Sequence, residues 1–465
     1  MPFETRRFRE IPEGDLIEMY ANKELAPDLA LHGFDPKRAA VFLDPKGGLE
    51  LRVVDFHHRS VDQTMEHPVN YKAGEARHIL WRVDTKGAGF IKPETYVSKK
   101  HEIESGDLAG YPEVHMTPYS KETPWGYDSL GLFDERMAGT TVKKAEELSR
   151  LGMRVETFAA YYRLKTVHVG GETITIEELK RRTIEDFKEQ ATEVKAEATR
   201  LRRDGGTPKE IEELKERAKT LLGHEKDLRE NFEPVIAIRL MRSIFRIRDL
   251  EDGTHEQARI MIEEAVAALQ AESRLLHGVE SPIRLDTMDG RDAYLKQLGD
   301  WFGEGLGVLF RTGQSHLFLH MGNLSLAGEI VDLDSVTKVM RTRLGKGYLG
   351  DGANVFRTTH PEYGIPNCLV KDMRDLCLSN RNLRKSFLAH GYTTSGASRL
   401  LLADALKVGL ARGIGQEEPY ALLGVSNQKL QEVFAAIVQR IVINGETMSR
   451  IMPDPDLEER ARAVA

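Results

Sequence analysis

Residues 177 to 230 are dense in charge, and their apolar positions step by four and three: Phe187, Ala191, Val194, Ala198 and Leu201, then Ile211, Leu214, Ala218 and Leu221. Such spacing lays one apolar seam along each of two helices. Between them lies DGGTP, where Gly205-Gly206 ends the first helix while Thr207, Pro208 and Glu210 form a capping-box start for the second. The two helices are expected to fold back on each other as an antiparallel hairpin. Its outer faces are charged, which suits either a partner-binding or regulatory arm or a solvated insertion that packs mainly on itself.

The flanks of the hairpin read differently. LELRVVDF, HILWRVD and AAYYRLKTVHV before it, and PVIAIRL after it, are strand-like runs. VKKAEELSRLG, residues 142 to 152, predicts a helix stopped by Gly152. No Rossmann G-x-G-x-x-G follows a strand there. Further on, HEQARIMIEEAVAALQ places Ile262, Val266 and Leu269 on one helical face, and SRLLLADALKVGLARG and NQKLQEVFAAIVQRIV continue in helical period. The expected class is α+β in four pieces: a strand-rich region over 1–170, the hairpin insertion over 171–231, a returning strand with arginines over 232–250, and a helical region over 251–465.

A chain of 465 residues is too long for one ordinary core. Its net charge of -7 gives no overall basic signature for nucleic acid. No run approaches 18 apolar residues, and MPFETRRFREIPEGD is charged where a secretory leader is apolar, so no membrane partner and a cytoplasmic location are expected. Cys368 and Cys377 lack the grouping with histidine that a zinc site shows and are expected as reduced thiols.

The stretch HMGNLSLAGEIVDLDS, residues 320 to 335, brings oxygen donors together. Leu324 and Leu326 alternate up to Ala327-Gly328, and Ile330 and Val331 lead away, so a tight reversal places Asn323, Asp332 and Asp334 at one end. An amide oxygen and carboxylates suit Mg²⁺, which prefers oxygen ligands and shares them with nucleotide phosphates. Asn323 and Asp332 are therefore candidate metal ligands.

Four separated stretches together resemble the selenoprotein O family, whose members have a protein-kinase-like fold and transfer AMP from ATP to protein side chains. WRVDTKGAG is similar to that family's strand and phosphate-contacting lysine, matching Lys86, Gly87 and Gly89. GLFDERMAGTTVKKAEELSRLGM is similar to its helix; the glutamate that pairs with the lysine falls on Thr141, so either Glu135 or Glu146 takes that role through a shifted helix or the ion pair is absent. IRLMRSIFRIR matches a strand whose two phosphate-binding arginines fall on Arg239 and Arg246, and guanidinium forks suit phosphate oxygens. In the fourth stretch, His316 stands seven residues before Asn323, as in a kinase catalytic loop.

The resemblance implies a bilobal kinase-like fold and a Mg- and ATP-dependent transferase moving AMP onto a protein hydroxyl. Phe318 occupies the position of the usual catalytic Asp, and Gly322 that of the Asp before Asn, so general-base duty falls on Asp334, the better candidate, on His320 or on His316, mainly a scaffold, or is unnecessary where positioning and charge neutralisation suffice. Two alternatives stand beside this reading: a nucleotide-binding pseudokinase acting as a switch, with its protein partner on the hairpin, and a kinase moving the γ-phosphate to a small molecule or peptide.

Overall fold

The computed structural model describes residues 4–44, 46–53, 60–88, 133–169, 172–339, 360–415 and 425–447. Its centre is one large antiparallel sheet. Five strands come from the start of the chain: β1 (Glu4–Glu10), β2 (Leu16–Ala21), β3 (Val41–Leu43), β4 (Leu49–Val53) and β5 (Ser60–Ala73). The rest are β6 (Ala76–Lys86), β7 (Phe133–Asp134), β8 (Thr157–Leu164) and, after β9 (Thr166–Val169) and β10 (Glu172–Thr175) form their own small ladder, β11 (Pro234–Met241). The strand order is β2-β8-β11-β6-β5-β4-β1-β3, with β7 paired to β11. The hairpin thus interrupts the sheet between β8 and β11, which nonetheless lie side by side.

All eight residues of β11 are buried, because both of its faces are covered. Val235, Ala237 and Met241 join the apolar core shared with the helical part of the molecule, while Ile236, Ile238 and Leu240 join a second core. Alternation therefore aims Arg239 at the helical side. Its register partner across the ladder is Asp84 on β6, so opposite charges meet across the strands.

After α1 (Ala26–Leu31), helix α2 (Glu135–Arg150) starts at Asp134, whose side chain accepts from the Arg136 amide. Gly152, at φ 84°, closes it. The predicted hairpin is present as α3 (Ile176–Arg203) and α4 (Pro208–Asn231), with Gly205 at φ 82° and the Thr207–Glu210 capping box made in both directions. It is more than a self-packed arm. Phe187, Ala191, Val194, Ala218, Leu221 and Leu228 share a core with Ile236, Ile238 and Leu240, so its apolar seam also covers the outer face of the sheet.

The helical part comprises α5 (Ile247–Asp252), α6 (His255–His277), α7 (Met288–Arg311), α8 (Asn367–Ala389), α9 (Ser398–Ile414) and α10 (Asn427–Val438), with a short ladder of β12 (Gln314–Ser315) and β13 (Thr337–Lys338). The predicted face Ile262, Val266 and Leu269 is buried. Helices α7 and α9 touch backbone to backbone: a Cβ on Gly303 would lie 2.4 Å from the Leu406 carbonyl oxygen, and one on Gly409 2.1 Å from that of Asp300. Only glycine fits there. Both cysteines are free and buried on α8, and among the described residues no helix is long and apolar enough to cross a membrane.

Candidate functional site

The reversal expected at residues 323–332 forms. Ser325 donates its amide to the Glu329 carbonyl at 2.9 Å and Val331 to that of Asn323 at 3.1 Å. Glu329, fully buried in the turn, accepts from the Arg242 amide at 2.9 Å and the Ser325 hydroxyl at 3.0 Å. Those bonds fix where Asn323 and Asp332 emerge. Asp332 itself is left-handed, φ 58° and ψ 53°, and the other non-glycine residue with positive φ among the described residues is Leu317, at 68°. Both flank the same site, and strained backbone of this kind persists where the surroundings hold it for a function.

Asp332 is the point at which the sheet meets the helical part. Lys86, at the end of β6, places its Nζ 2.9 Å from Asp332 Oδ1 and 4.4 Å from the centre of the Phe133 ring. Arg246, which begins α5, places Nη1 2.8 Å from Oδ2. Burial raises the Asp332 carboxyl, but Arg246, Lys86 and Arg239 outweigh it and hold its pKa well below the carboxylate range. The Arg246 Nη1 also donates to the Gly322 carbonyl and faces Asn323 Oδ1 at 3.4 Å. Three oxygens thus surround one cationic nitrogen. Asn323 is held in place by its amide, which donates to the Phe318 carbonyl at 2.9 Å.

Arg239 does not face an open cleft. It is wholly buried, forked between Asp84 and Glu156, with Asp332 Oδ1 3.8 Å away. The anion that this arginine needs is supplied by the chain. Sequence reasoning missed Glu156, which also accepts from the Leu333 amide at 3.3 Å. The signal was present: a carboxylate at the head of the largely apolar run TFAAYY must be paired once that strand is buried.

Helix α2 does not supply the partner of Lys86. Glu135 pairs with Arg163 at 2.6 Å, and Glu146 accepts a hydrogen bond from the Tyr20 hydroxyl at 2.5 Å. Asp332 takes the lysine instead. Gly87, at φ 96°, follows Lys86 where a Cβ would lie 2.7 Å from the Val235 carbonyl oxygen, so strand packing demands glycine there. Gly89 lies outside the described residues.

His316 is buried and bonded on both nitrogens: Nε2 donates to the Val331 carbonyl at 2.9 Å, and Nδ1 lies 3.1 Å from the Ser335 hydroxyl. Burial lowers its pKa to about 4, against the pull of the Val331 carbonyl, so it is neutral near pH 7. Held at both nitrogens, it ties residues 331 and 335 to the loop before Asn323. Asp372, on α8, holds that loop from behind, accepting from the Ser315 hydroxyl at 2.7 Å and the His316 amide at 2.8 Å, and burial raises its pKa to about 6. Asp334 sits half-buried in the short turn Leu333–Ser335, two residues beyond Asp332.

Among the described residues no three His, Cys, Asp or Glu side chains are grouped to hold a metal ion. A Mg²⁺ shared with phosphates needs fewer protein ligands, and one amide oxygen with one carboxylate is a donor set of that kind. Asn323 and Asp332 fit it, since their oxygens already converge on a cation. No protein-family model matches the chain, and no curated protein matches it significantly.

Proposed function

We propose that this site binds a nucleotide triphosphate with Mg²⁺ in a kinase-like arrangement and transfers AMP to a protein hydroxyl. The observation that carries the reading is the oxygen-lined cation position, where Gly322, Asn323 and Asp332 face one nitrogen of Arg246 beneath Lys86. In that assignment Asn323 and Asp332 hold the metal, and Lys86 and Arg246 hold phosphates. Bound Mg²⁺ neutralises phosphate charge, which phosphoryl and nucleotidyl transfers need more than covalent help from the protein. AMP rather than phosphate, and ATP as donor, rest on the resemblance to selenoprotein O.

One observation favours a second reading, a nucleotide-binding pseudokinase that acts as a switch. Phe318 and Gly322 stand where carboxylates assist catalysis in related chemistry, and every cation of the site already has a carboxylate of this chain. Incubation with Mg²⁺ and ATP labelled at the α or the γ position separates the readings. Label from the α position, absent in Asp332→Asn, supports AMP transfer; label from the γ position alone makes the protein a kinase. Nucleotide binding without either label supports the switch.

A further inference from the structure

The same site has a feature that the proposed activity does not require. Arg246 occupies the place that the metal needs. Its backbone is fixed, because its amide donates to Asp249 Oδ2 at 2.7 Å in the capping box of α5. Its side chain is not fully used: the buried Nε donates to nothing among the described residues, while Nη1 collects three oxygens. The guanidinium is 13% exposed and Asp332 27%, so water reaches the pair from one side. The surrounding charges balance as they stand, with Lys86, Arg239 and Arg246 against Asp84, Glu156 and Asp332.

Adding one ligand alone upsets that balance. A divalent cation on Asp332 leaves Arg246 and Lys86 beside a dication without their counter-charge. A polyphosphate on Arg246 and Lys86 leaves Asp332 facing phosphate oxygens. The two together largely offset each other, the dication cancelling part of the polyphosphate charge that either ligand alone leaves unanswered. Building on the nucleotide reading above, we infer that the site takes a divalent cation and a polyphosphate as a pair, with Arg246 as the exchange element. Its guanidinium stands in for the cation in the free protein and passes to the phosphates when the cation arrives. Arginine suits this because the fork that binds one carboxylate oxygen also binds phosphate. The coupling is reciprocal: each ligand raises the affinity of the other by the same factor.

Manganese alone is the probe. Free Mn²⁺ is followed by electron paramagnetic resonance as protein is added, for the unmodified chain, Arg246→Gln, Arg246→Lys and the double variant Arg246→Gln/Asp332→Asn. Arg246→Gln is expected to bind Mn²⁺ at least about tenfold more tightly than the unmodified chain. The double variant loses that gain, and Arg246→Lys, which keeps a cation beside Asp332, lacks it. Equal Mn²⁺ affinity in the unmodified chain and Arg246→Gln overturns the exchange, and so does an equal gain in Arg246→Lys, which marks mere loosening. Equilibrium dialysis of a non-hydrolysable ATP analogue against the unmodified chain, with and without Mg²⁺, scores the two readings separately. A rise of about tenfold with Mg²⁺ supports the pairing, and binding that ignores Mg²⁺ overturns it alone. No binding in either condition removes the nucleotide reading as well.

Discussion

Arg242 and Arg246 stand four residues apart, and both are answered by carboxylates from one reversal, Glu329 for the first and Asp332 for the second. Their surroundings differ in access to water. The Arg242 side chain is 1% exposed and Glu329 0%, and Glu272 and His78 close round them between the sheet, α6 and the reversal, with Arg154, 14% exposed, at the rim. Trp301 seals it, with the Arg154 guanidinium 3.7 Å from its ring centre. The Asp332 cluster opens on one side. Identical chemistry is scaffold where it is closed, since no ligand can reach it, and exchangeable where one partner is wetted.

The largest stability effect is expected on the closed side. Arg242→Met leaves Glu272 and Glu329 buried without their shared cation, and breaking a buried pair this way costs about 3 kcal/mol or more. Urea unfolding would register it as a lower midpoint. A loss no larger than that of a surface substitution would mean that water enters this network too, and the contrast would fail.

Acid provides the next test. His78, beside Arg242, has its pKa lowered to about 3 by burial and then by Arg242, and His316, beside the open site, to about 4 by burial. Unfolded, both titrate near 6.5. Between pH 6.5 and about 4 the unfolded chain therefore binds two protons that the native one refuses, and stability falls as pH falls. Asp372 works the other way: its native pKa of about 6 lies above 3.8, so below pH 6 the native state gains a proton first. For these three groups together the difference is one proton, two minus one, a contribution of about 1.4 kcal/mol per pH unit from pH 6 to 4.5. His78→Gln should flatten that slope in unfolding curves taken across the range. An unchanged slope would show that His78 is protonated in the native protein.

How much of this was legible follows the range of each signal. The hairpin was readable because heptad spacing, Gly205 and the Thr207–Glu210 box are local, and the reversal at 323–332 because alternation around Ala327-Gly328 is local too. The four arginines after Val235 announced that anions were needed, but not which ones. Asp84, Glu156, Glu272 and Glu329 are brought in by strand register and by helix packing over long separations, which no local pattern encodes. Helix α7 was hidden for another reason. Gly299, Gly303, Gly305 and Gly307 argue against a helix by propensity, yet close packing overrides it, against α9 for Gly299, Gly303 and Gly307 and against Ile330 for Gly305.

The smallest stability effect, and the sharpest test of the contrast, belongs to Asp332→Asn. Asparagine tolerates the left-handed backbone at φ 58° and still accepts a hydrogen bond from Lys86 or Arg246. Arg239 keeps Asp84 and Glu156. The loss should be smaller than that of Arg242→Met, about 1–2 kcal/mol, because Asp332 is partly wetted while the buried Lys86 loses its carboxylate. On the proposed reading, transfer of label from ATP should nevertheless disappear, since an amide is a far poorer ligand for Mg²⁺ than a carboxylate. A variant that melts a few degrees lower and no longer transfers separates exchangeable charge from structural charge. One that unfolds as readily as Arg242→Met would place Asp332 with the scaffold and leave the proposed metal site without its carboxylate.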